Sequence, residues 1–217
     1  MADNGLLHAQ HGAFRWQVEH RDDHGRAKTE SMSEHLRYEI EAASALAISA
    51  GVDGRSALRD LPPLTKDWWI GNALVEAYLV HLRVLDEFFY GDFIAARKAR
   101  ERPRVVRLHP DAVAALDFVR DAQAWLDQRP QRDLSTERLF DRIDRSLAHL
   151  NWRRTVGGWQ PEHQPGGKEQ TWSLWQPWDS LRPTLEVFLD HVNEQRLCED
   201  FIPRVRTALR GESVIDL

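Results

Sequence analysis

Apolar residues recur along this chain at helical spacing. Leu36, Ile40, Ala43, Ala47 and Ala50 fall at steps of four and three and form one stripe of a first helix. That helix opens near Ser31, where Ser31 and Glu34 have the spacing of a capping box, and Gly51 stops it. Residues 67–90 predict the longest helix, roughly 35 Å from end to end. It is apolar on nearly every side, the pattern of a helix enclosed by others. Thr65 and Asp67 are its candidate N-caps and Gly91 its candidate stop. A third helix opens at Pro110, with the stripe Ala112, Leu116, Val119, Ala122 and Leu126, and Pro130 ends it. A fourth runs from about residue 136 to 153 behind Ser135 as N-cap, with Leu139, Ile143, Leu147 and Leu150 inward. The last begins near Ser180, with Leu181, Leu185, Phe188 and Val192 as its stripe. Pro203 kinks or divides it, leaving a final piece with Phe201, Val205 and Leu209.

The stretches between these helices are polar or rich in breakers. Residues 1–30 are polar and aperiodic and are expected to form a mobile arm. Residues 51–66 form a loop, because Pro62 and Pro63 exclude a continuing helix. Residues 155–177 carry two Gly-Gly pairs, three Pro and three Trp, so this long loop is expected to pack down in part, as a flap, a short hairpin or a contact surface. No strand pattern stands out. The expected architecture is all-α: about five main helices around the long central one, in a single domain over residues 31–217.

Composition narrows the function classes. With 42% hydrophobic and 29% charged residues the chain can build a sizeable core. Its net charge of −5 supplies no global field for nucleic acid. A local one remains: Arg97, Lys98, Arg100, Arg102, Arg104 and Arg107 face a single acid, Glu101, within residues 97–107. That segment reads as a solvated connector or as a phosphate-contacting loop, since Arg grips phosphate in a fork. The lone Cys198 allows no intramolecular disulfide and no Cys-based zinc site. The first residues are too polar for a signal peptide and no run is long enough to span a membrane, so the cytoplasm is the expected location. No cofactor or metal is expected. The candidates Glu76, His81, Asp86, Asp144, His149 and His191 lack the Glu-x-x-His pairing of di-iron bundles.

Two polar stripes remain on core-like helices. In the central helix Asn72, Glu76, Arg83 and Glu87 share a face, with His81 pointing elsewhere. They read either as a buried Glu76–Arg83 pair that fixes helix register or as one wall of a polar cavity. In the fourth helix Arg142, Ser146, His149 and Arg153 form a second stripe. Arg142 and His149 project from nearly one face, about 10 Å apart along the axis. There a guanidinium could hold a phosphate while an imidazole takes a proton.

The spacing Arg142-x6-His149 on a late helix of a small bundle resembles the signature of the HEPN superfamily. The segments EAYLVHLRVLDEFF and RIDRSLAHLNWRR are also similar to a group of uncharacterised bacterial helical proteins. The HEPN resemblance implies a dimeric helical bundle and a metal-independent ribonuclease of toxin or defence type. In that role His149 is acid or base and Arg142 the phosphate clamp, with Glu76, Arg83 and Ser146 in support. The RNA would meet Arg97, Lys98, Arg100, Arg102 and Arg104. Two other expectations stand beside it: a non-catalytic interaction module that uses the Trp-rich loop, and a pocket that binds a small anion at Arg83 and Arg142.

Overall fold

The computed structural model describes residues 6–11, 14–19, 26–49, 66–98, 105–108, 112–132, 134–148 and 175–211. The chain is mostly helical, as expected. It also holds a small sheet that the helical periodicity hides. Strands β1 (Leu6–His11) and β2 (Phe14–Glu19) pair antiparallel, with Leu7 opposite Val18 and Ala9 opposite Trp16. Strand β3 (Val105–Arg107) adds to β2 in parallel, with Val18 opposite Val106. Residues 1–30 were expected to be a mobile arm without strands. That expectation is corrected: alternation in 14–18 buries Trp16 and Val18 and turns Arg15 outward, a period of two that makes a strand with one buried face.

The six helices are α1 (Arg26–Ser49), α2 (Lys66–Lys98), α3 (Ala122–Gln128), α4 (Leu134–Ala148), α5 (Trp175–His191) and α6 (Phe201–Leu209). Several differ from the expected bounds. Helix α2 does not stop at Gly91. Gly91 keeps φ negative, so it makes no left-handed cap, and Asp92, Phe93 and Ala96 continue a buried face beyond it. The expected third helix from Pro110 shrinks to α3. The preceding residues 115–117 form a single 3-10 turn, which Asp117 stabilises by accepting from the Ala114 N–H at 2.8 Å. Asp121 caps α3 by accepting from Ala124 N at 3.0 Å. Helix α5 opens at Trp175, so Pro183 lies within it rather than in its first turn. Pro203 sits in the first turn of α6, where its missing N–H costs nothing.

Helix α1 is held along its length. Ser33 Oγ accepts from the Cys198 N–H at 2.6 Å, Ser44 Oγ donates to the Ala208 carbonyl at 2.7 Å, and Arg204 forks onto Glu41 at 2.6 and 3.0 Å. The core centres on Phe188 of α5, edge-on to Phe88, Phe89 and Trp125 at centroid distances of 5.6, 5.4 and 5.7 Å.

Two buried ion pairs join α2 to the segment after α3. Pro130 drives Arg129 out of helical geometry to ψ 128°. Its guanidinium then reaches back to Asp92 in a fork of 2.7 and 3.2 Å and also donates to the Phe89 carbonyl. Asp92 accepts a further bond from Trp16 Nε1 at 3.3 Å, which ties the sheet to α2. Arg132 lies 3.1 Å from Asp86. Tyr90 stacks against both guanidiniums, at 4.8 and 5.1 Å from its ring centre, and its hydroxyl meets the Pro130 carbonyl and Thr184. At Tyr90 the backbone leaves the helical range, with φ −128° and ψ 16°, so α2 kinks there. Arg129→Ala strands a buried carboxylate and is expected to lower unfolding free energy in urea by about 3–5 kcal/mol. Replacing the pair together, Asp92→Leu with Arg129→Met, should recover most of that loss. A loss under about 1 kcal/mol for the single change would show that the clamp is dispensable.

Candidate functional site

The faces that α1 and α2 turn toward each other leave an apolar cleft of about 730 Å³ between them. Helical spacing builds both walls. Met32, His35, Leu36 and Glu39 come from successive turns of α1. Val84, Glu87, Phe88, Gly91, Ile94 and Ala95 come from α2, and Leu108, Ala112 and Val113 close the far side. The volume falls within the 300–1,000 Å³ range of small-molecule sites. Gly91 lies just after the kink, and a Cβ added there would meet nothing within 4 Å. The missing side chain is part of the space.

Polar groups gather at the edge of the cleft. His81 Nδ1 lies 2.7 Å from Glu39 Oε2, and the two side chains are 14% and 21% exposed. Tyr38 stands edge-on to the imidazole at 5.6 Å. Arg83 lies 3.3 Å from Glu87 and 3.1 Å from Asp144 of α4, so one guanidinium serves two carboxylates. The Glu39–His81 pair orients an imidazole whose second nitrogen can hold or pass a proton. Among the described residues lining the cleft there is no hydroxyl or thiol side chain.

The expected site residues are only partly brought together. His149 lies outside the described residues, as do Arg100, Arg102, Arg104 and most of the Trp-rich loop. Arg142 and Ser146 belong to α4, and of these two only the backbone is described. Glu76 is exposed on α2. Arg83 pairs with Glu87 and Asp144 rather than serving the expected Glu76–Arg83 register pair, and this does bring α2 against α4. Arg97, expected to meet RNA, is bonded to Glu137 at 3.1 Å and to Asp141, both on α4. Its charge is already matched. His81 does point away from the Arg83 face, toward α1. No group of three or more His, Cys, Asp or Glu side chains converges among the described residues.

Sequence reasoning missed Glu39 and the cleft. The available signal was the run Met32, His35, Leu36 and Glu39, an apolar stripe with polar members at the same spacing. Comparison with family models, with curated proteins and with solved structures finds no match to this chain.

Behind the cleft, Asp86 is buried beside Arg132, yet its Oδ1 and the Arg132 Nε have no hydrogen-bond partner among the described residues. The pair touches charge to charge without a directed bond. Burial therefore outweighs the attraction of Arg132, with Asp144 and Glu87 adding repulsion, and the Asp86 carboxyl is pushed up to about 7. An acid held more protonated in the fold than in the unfolded chain favours the folded state at low pH. That contribution is lost as pH rises from about 4 toward 7, by at most about 1.4 kcal/mol per pH unit. Urea unfolding of the protein and of Asp86→Asn across pH 4–8 should show the variant gaining relative stability through this window. A stability difference that does not vary with pH would exclude titration of Asp86.

Proposed function

We propose that this protein is a helical binding module and that the cleft between α1 and α2 is its binding site. One observation carries this reading: a cavity of about 730 Å³ with apolar walls and, among the described residues, only His35, Glu39 and Glu87 as polar lining groups. Such a lining takes an apolar body and orients it with a few polar contacts at one edge. Each methylene buried there contributes about 0.8 kcal/mol. The reading keeps the interaction-module class expected from sequence and moves its surface from the 155–177 loop to the cleft.

A neutral, environment-sensitive dye such as 1-N-phenylnaphthylamine tests it. The dye's emission should rise on addition of the protein and saturate. Gly91→Leu fills open space and should weaken dye binding at least tenfold while circular dichroism keeps its helical signal. Binding that is unchanged in Gly91→Leu, or absent from the unmodified protein, would sink the proposal.

A second reading retains the HEPN-like ribonuclease, acting as a homodimer on RNA. What favours it is the Arg83–Asp144 contact, which packs the helix carrying Arg142 against α2. In this reading Arg142 holds phosphate and His149 transfers the proton. Labelled RNA incubated with the protein in EDTA should be cut, and His149→Ala should abolish cutting at unchanged helicity. RNA that survives intact with the unmodified protein removes this reading.

A further inference from the structure

We propose that the occupant of the cleft is a cationic amphiphile, an alkyl or aralkyl chain ending in a protonated amine. The inference rests on the binding reading and adds the sign of the ligand's charge. Among the described residues the lining supplies two carboxylates, Glu39 from α1 and Glu87 from α2, with one imidazole and neither Lys nor Arg. Their neighbours do not cancel them. Arg83 is shared between Glu87 and Asp144. Glu39 meets the His81 imidazole at 2.7 Å and no guanidinium or ammonium among the described residues. Counting the Asp144 that shares Arg83, the described carboxylates here are three against one guanidinium. A fatty-acid-like anion would set a third charge of the same sign beside Glu39 and Glu87. An ammonium head would meet one carboxylate on each helix while its chain follows Phe88, Ile94 and Leu108 inward. The half-buried position of Glu39 strengthens the attraction relative to a fully exposed pair.

The test is isothermal titration of the full chain at pH 7.5 with octylammonium, octanol and octanoate, each below its micelle concentration. Octylammonium should bind tightest and octanoate weakest, at least tenfold apart. Shortening the amine from octyl to heptyl to hexyl should weaken binding about fourfold per methylene. Glu39→Gln and Glu87→Gln should each weaken octylammonium about fivefold and leave octanol unchanged, which separates loss of charge from loss of the cavity. If octanol binds as well as octylammonium, or octanoate binds better, the charge inference is overturned and the binding module stands. If octylammonium weakens equally with octanol in the Gln variants, the carboxylates act on cavity shape and the charge inference again fails. If none of the three binds, the inference and the binding reading fail together.

Discussion

Helix α2 is bent and held by two arginines that flank Pro130. Arg129 forks onto Asp92 and Arg132 approaches Asp86, while Tyr90 lies against both guanidiniums. Burying four charges is expensive, and such a set persists only where each member is matched. Asp92 is matched well: it accepts from Arg129 twice and from Trp16, so a single carboxylate ties the sheet, α2 and the end of α3 together. Asp86 is matched by charge alone. The first pair is therefore the structural lock. The second is the weaker point, where burial raises the carboxyl toward neutral pH.

The cleft lies beside the same bend. Residues 86 and 87 lie about 100° apart around the helix axis. One carboxylate goes inward to Arg132 and its neighbour goes outward to the cleft edge. Gly91 comes directly after the kink on the cleft side and puts no side chain into the space. A straight α2 with an ordinary residue at 91 would carry another side chain into the wall facing α1. The clamp thus occupies one face of α2 and the cavity another, with Tyr90 and Gly91 adjacent between them.

Much of the helical frame was legible in the sequence because its signals are local. The stripe Leu36, Ile40, Ala43 and Ala47 is buried on α1, and Leu181, Leu185 and Phe188 are buried on α5. Pro130 and Pro203 mark real boundaries, since their geometry does not depend on distant residues. One miss is local, the hairpin of β1 and β2, whose period-two alternation is short and set in a polar stretch; the others are non-local. The short strand β3 has only three residues, and it lies beside β2 although α1 and α2 intervene in sequence. Gly91 reads as a stop because glycine commonly caps helices. Whether it acts as one depends on the residues beyond it, here the buried Asp92, Phe93 and Ala96. The site was less legible than the fold. Helical spacing sets Arg83 against Glu76 on its own helix, whereas Asp144 of α4 offers it a carboxylate at 3.1 Å. The run Met32, His35, Leu36 and Glu39 marks a helix face but not the role of Glu39, whose partner, His81, is 42 positions away.

The placement of the described arginines bears on the charge of the cleft edge. Arg is abundant here, and a phosphate-binding protein needs some of it uncommitted. Among the described residues, Arg83, Arg97, Arg129, Arg132 and Arg204 are each engaged by a carboxylate. A guanidinium already forked onto an acid gains less from phosphate, because the new contact must replace an existing charge-assisted bond. The acids at the cleft are in the opposite position, with more carboxylate than cation at the edge of an apolar cavity. That excess of carboxylate is what supports the proposed positively charged ligand.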